Sequence, residues 1–105
     1  MTQSARVTVS GTIVEDELWF TLGDLSRVCR VETSRLVALV EEGVLDPAGG
    51  APDEWRFGGT SLRRARLALR LGRDLELSAA GTALVLDLLD EIDTLKAQLR
   101  RVGGS

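Results

Sequence analysis

Three sets of side chains in this 105-residue sequence have types and spacings that could do chemistry. Asp87 with Glu91, and Asp90 with Asp93, sit at helical spacings that put two carboxylates on one face, the minimal kit for general acid–base work. Cys29 lies between Arg27 and Arg30, and nearby guanidinium charge can lower a thiol's pKa and make it reactive. Arg63, Arg66, Arg70 and Arg73 fall within about 80° of one another on a helix turning 100° per residue, forming a continuous basic stripe. Guanidinium groups suit bidentate pairing with a carboxylate or phosphate.

The rest of the composition narrows these options. The chain has no histidine and one cysteine. The commonest general base and the commonest metal ligand are therefore missing, and a single cysteine builds neither an internal disulfide nor a Cys-based zinc site. No segment resembles an oxyanion hole or a phosphate cradle, so the paired carboxylates read as surface helix charge and Cys29 as a small buried hydrophobe. An enzyme is not expected, nor is a metal or cofactor. The arginine stripe has a plain reading as a solvated face paired to carboxylates such as Asp87 or Asp90, and a sharper one as a contact surface for an acidic patch or phosphate.

The elements that position these groups can be read in order. Apolar residues make up 44% and mean hydropathy is +0.06, enough for one core. No apolar run approaches the roughly 20 residues of a membrane span, and no secretory signal is visible at the start, so a cytoplasmic location is expected. Alternation at Arg6–Ser10, with the β-branched or aromatic stretches Thr12–Val14 and Leu18–Phe20, predicts one or two short strands within residues 1–20. Thr21 with Asp24 forms a capping-box pattern that opens a helix to Arg30. A second helix starts near Glu32–Ser34 and ends at Gly43, which accepts the left-handed conformation at a helix C-terminus. Two short helices joined by about three residues are a helix-turn-helix signature. Val44–Asp46 and Trp55–Phe57, flanking a Pro- and Gly-rich stretch, predict the small hairpin of a wing, with Trp55 and Phe57 facing the core. Residues 60–73 form a third helix. Ser78 caps a fourth that runs to Val102, leaving 103–105 as a disordered tail. The domain organisation is thus a strand segment (1–20), a winged helix-turn-helix with its third helix (21–77) and a C-terminal heptad helix (78–102). The fold class is mainly α.

That order of elements resembles the MerR-like winged helix-turn-helix architecture. The match narrows at Glu41-Glu42-Gly43-Val44-Leu45-Asp46-Pro47, at Leu62-Arg63-Arg64-Ala65-Arg66-Leu67-Ala68-Leu69-Arg70-Leu71 and at Ala80 to Ile92, stretches that resemble the chaperone-modulator, CbpM-like family over roughly Leu18 to Arg101. Two positions depart from the pattern. Arg30 sits in the helix–helix turn where glycine is common and would be strained if φ is positive there, and Glu32 stands where a better cap is expected. The resemblance implies a usually dimeric domain that binds the J-domain of a CbpA/DnaJ-like co-chaperone and inhibits its activity with a DnaK-type chaperone. The alternative is a MerR-like DNA-binding transcriptional regulator.

Charge discriminates between the two. The net charge of −3 divides into −5 over residues 1–57, +4 over 58–74 and −2 over 75–105. From Glu32 to Glu42 the only base is Arg35, against Glu32, Glu41 and Glu42; residues 46–54 hold three acids and no base. A recognition helix and wing of that sign would meet a polyanion unfavourably. Glu32, Arg35, Glu41 and Glu42, with the stripe Arg63, Arg66, Arg70 and Arg73, are the candidate partner-binding residues. Val85, Leu88, Ile92, Leu95, Leu99 and Val102 repeat with spacings of 3 and 4, a heptad seam that predicts a homodimer, and MerR-like proteins use an antiparallel coiled coil here.

Overall fold

A computed structural model describes residues 6–9, 12–15 and 18–103. Strand β1 (Arg6–Val9) pairs antiparallel with β2 (Thr12–Glu15), Val7 opposite Val14. Four helices follow: α1 (Leu22–Cys29), α2 (Thr33–Glu41), α3 (Gly59–Leu75) and α4 (Ala79–Val102). Leu18–Phe20 does not extend the sheet. Instead Phe20 makes one isolated bridge to Phe57, each N–H donating to the other's carbonyl at 2.8 Å.

Local chemistry sets the helix ends. Thr21 caps α1: its hydroxyl accepts from the Asp24 N–H, and the Asp24 carboxylate accepts from the Thr21 N–H, both at 3.0 Å. The Thr21 backbone N–H first, then the Thr21 side chain and the Arg27 guanidinium, hold the Asp24 carboxyl below its ordinary value. Arg30 ends α1 in the left-handed region at φ 58°, as the turn requires, and the Ser26 hydroxyl braces that turn by donating to the Val31 carbonyl. Glu32 precedes α2 with no side-chain cap bond, and Gly43 follows it at φ 79°. Ser78 caps α4, accepting from the Gly81 N–H at 3.0 Å.

The region expected to be a hairpin is sparser than a pair of strands. Val44–Asp46 forms no strand: Val44 and Leu45 are both buried, and the Val44 carbonyl accepts from Arg64 Nε of α3 at 2.9 Å. The loop closes through one bridge, Ala48 to Arg56, above a 3₁₀ turn at Pro52–Glu54. Gly49 is required there. Its φ is 110°, and a Cβ would stand 2.6 Å from the Glu54 carbonyl oxygen.

The core gathers Leu25 from α1, Leu36 and Leu39 from α2, Val44, Leu45 and Phe57 from the loop, and Leu86 from α4 around Leu62, Ala65 and Ala68 of α3. α3 is the hub because its inward face is small: after Leu62 come Ala65, Ala68 and the buried Gly72, so backbones approach closely. Phe57 is fully buried, and Trp55 meets it edge-on with ring centroids 6.1 Å apart. Trp19, just before the Phe20 bridge, is exposed.

Because Arg30 holds a left-handed conformation that disfavours any residue with a Cβ, Arg30→Gly is expected to stabilise the fold by about 1 kcal/mol. The measurement is the urea midpoint. It should rise with an unchanged slope, whereas a lower midpoint would mean that the Arg30 side chain contributes more than its backbone costs.

Candidate functional site

The candidate residues occupy three separate surfaces. The first is acidic. Glu41 of α2, Glu32 and Glu42 at its two ends, and Asp46, Asp53 and Glu54 of the following loop are all exposed. Glu41 and Glu42 stand at the C-terminal end of α2, the negative end of its dipole, and no basic residue occupies its last turn. That arrangement weakens the isolated helix while concentrating negative potential on the elements a DNA reader would present.

The second surface is the arginine stripe, and its members divide. The Arg66 guanidinium turns inward and donates to the Val28 carbonyl at the C-terminus of α1, at 3.3 Å. This supplies an orphan helix-end carbonyl with a cationic donor. Arg63 is half-buried and donates to the Thr60 hydroxyl. Arg70 and Arg73 are exposed, and Arg73 pairs loosely with Asp74 at 3.3 Å. The arginine that meets Asp90 is Arg64, outside the stripe, at 3.4 Å. Arg66, Arg70 and Arg73 border a small recess of about 170 Å³ with Cys29. Burial pushes the Cys29 thiol up, with the Arg66 charge opposing, so the environment favours the inert thiol form. Among the described residues no group of acids and cysteine is arranged to hold a metal ion.

The third surface runs along α4, which buries only Thr82 and Leu86 against the body. Leu88, Ile92, Leu95, Leu99 and Val102 of the seam are exposed, and Val85 is half-buried at its edge. Leu84 and Leu89 are exposed as well and widen the patch; a strict heptad reading misses them, although their i,i+4 relation to Leu88 and to Val85 signals them. By helical rotation, Leu84, Leu88, Ile92, Leu95, Leu99 and Val102 lie within about 80° of one another, on the side away from Thr82 and Leu86. No described helix is long and apolar enough to cross a membrane. Arg35 of α2 and Arg73 of α3, 38 positions apart, come together at a cleft closed by the start of α4, a proximity that no local pattern signals.

The inward role of Arg66 is separable from the outward face. Arg66→Ala is expected to lower stability by about 1–2 kcal/mol, because it removes a charged donor from a helix-end carbonyl. Arg70→Ala should stay within about 0.5 kcal/mol of the parent. Chemical denaturation of the two variants checks this, and equal effects would contradict it.

Comparison with known proteins agrees with this architecture. Residues 20–103 match the model of the MerR HTH family regulatory proteins. A protein of Coxiella burnetii (strain Dugway 5J108-111) named chaperone modulatory protein CbpM is 34% identical over 92 residues, covering 88% of this chain and 87% of that one. Proteins of the same name from Pseudomonas putida (strain W619) and Pseudomonas entomophila (strain L48) are 35% and 32% identical over 78 residues, covering 71% of this chain and 77% of theirs. The name these relatives carry describes modulation, not a reaction. With a helix-turn-helix match over most of its length and relatives of this similarity, the chain belongs to the CbpM family of chaperone modulatory proteins, built on a MerR-type domain.

Proposed function

We propose that this protein is a cytoplasmic homodimer that binds the J-domain of a CbpA/DnaJ-like co-chaperone and inhibits its activity with a DnaK-type chaperone. The observation that carries the reading is the sign of the helix-turn-helix. Six exposed carboxylates stand on α2 and the loop after it, and the reduced wing presents three of them. Such a surface steers a basic protein helix toward it and repels a phosphate backbone. Family membership supports a protein partner over DNA, and inhibition by occupancy needs only a complementary surface, no catalytic group.

Dimerisation follows from α4. Left in water, its exposed leucines would form a contiguous apolar patch of the kind monomers avoid. An antiparallel pairing of two copies sets Ile92 against the partner's Leu95, Leu88 against the partner's Leu99 and Val85 against the partner's Val102, the alternating layers such a seam favours. The same register lays the acidic stretch 87–93 beside the basic stretch 96–101, whereas a parallel pairing would set like charges side by side.

Two experiments test this reading. Reversing Glu41 and Glu42 to Arg should slow association with the J-domain at low salt roughly ten-fold or more, measured by surface plasmon resonance. An unchanged rate with an intact fold would remove this face from the interface. Light scattering should give about twice the 11.3 kDa chain mass, and Leu95→Glu should reduce it to the single-chain mass with α-helical content largely kept. A parent chain that stays monomeric across concentrations would refute the dimer.

A further inference from the structure

The cleft between α2, α3 and the start of α4 has a volume of about 480 Å³, and neither the acidic face nor the α4 seam uses it. Its chemistry converges on one point. Gly72 of α3 is buried at the cleft floor. The position where a Cβ would stand on Gly72 lies 3.9 Å from Arg35 Nη2 and 3.4 Å from Thr82 Oγ1. The missing side chain therefore leaves a space that a guanidinium from α2 and a hydroxyl from α4 both border. Thr82 is 2% exposed and lines the cleft. A hydroxyl at that border can donate to or accept from a ligand in the cleft. Arg35 forms no ion pair among the described residues, and Arg73 adds a second guanidinium whose exposed pairing with Asp74 is weak.

The remaining lining sets the class of ligand. Leu39, Leu69 and Leu77 give the cleft apolar walls. The exposed Glu76 is its one acid, leaving a surplus of one positive charge with Arg35 and Arg73. We infer that this cleft binds a small organic acid: a single carboxylate held by Arg35, Arg73 and the Thr82 hydroxyl, with a short apolar stem against the leucines. The volume falls in the range of small-molecule sites. A basic helix of a protein partner, which the acidic face would attract, carries the wrong sign for this cleft, so the two sites are distinct and this inference does not rest on the proposed function. An occupant would tie α2, the partner-facing helix, to α4, the dimerising one.

The test is titration of the ¹⁵N-labelled full chain with hexanoate, followed by amide shifts in NMR, with 1-hexanol and the blocked peptide Ac-Ala-Glu-Ala-NH₂ run alongside. Saturable shifts centred on Leu39, Gly72 and Thr82 are expected with hexanoate, and binding by hexanol should be at least roughly ten-fold weaker. Arg35→Gln should weaken hexanoate roughly ten-fold, Thr82→Val should weaken it by a smaller factor, and Arg70→Gln should leave it unchanged. The amide spectrum of each variant reports that its fold is kept. Equal binding of hexanoate and hexanol would reduce the cleft to an apolar crevice and overturn the inference. So would an absence of saturable shifts, or binding of the peptide with none of hexanoate, which would give the cleft to a polypeptide.

Discussion

The structure depends on how little of α4 the body can cover. The helix spans 24 residues, yet its fully buried positions end at Leu86, where the small face of α3 and the surrounding leucines run out. Beyond that point about 16 residues, on the order of 24 Å of helix, carry leucines and an isoleucine that no described residue of the body buries. A solvated helix of that length needs polar faces all round or a partner. The acids and bases on its other faces satisfy water there, and the single apolar stripe concentrates the demand for cover on one side. The anchoring of α4 by Leu86, and by Asp90 to Arg64, fixes the direction in which the stripe points.

The same body explains how a DNA reader's architecture can serve a protein partner. Burial of Leu25, Leu36 and Leu39 specifies the helix-turn-helix through its inner face alone. The outer face is free to carry any charge, and here it carries carboxylates, two of them at the unfavourable end of α2. Basic residues gather instead on α3, where Arg64 and Arg66 are used internally, one holding the Val44 carbonyl and the other the end of α1. The basic character of α3 is thus partly a set of braces that hold the loop and the first helix to the hub.

Features decided within a few residues were legible in the sequence. The Thr21–Asp24 capping box, the left-handed Arg30, the Gly43 stop and the Ser78 cap all follow from local backbone chemistry. The α4 stripe was legible because its period is helical. What could not be read was decided at a distance. Val44–Asp46 has the composition of a strand, but an arginine 20 positions away takes its carbonyl and the core takes both of its apolar side chains. The stripe residue Arg66 looks like its neighbours in sequence, and only the arrival of the α1 terminus turns it inward. The cleft that Arg35 and Arg73 both line needs three helices in place before it exists.

We propose that the outer face of this helix-turn-helix recognises a protein and not a nucleic acid. Calorimetric titration of the full chain into the isolated J-domain of a CbpA-type co-chaperone tests it most directly. Saturable heat that weakens as salt is raised is expected, with no tight retardation of promoter DNA at the same ionic strength. An absence of heat with the J-domain, together with tight and specific retardation of DNA, would contradict it.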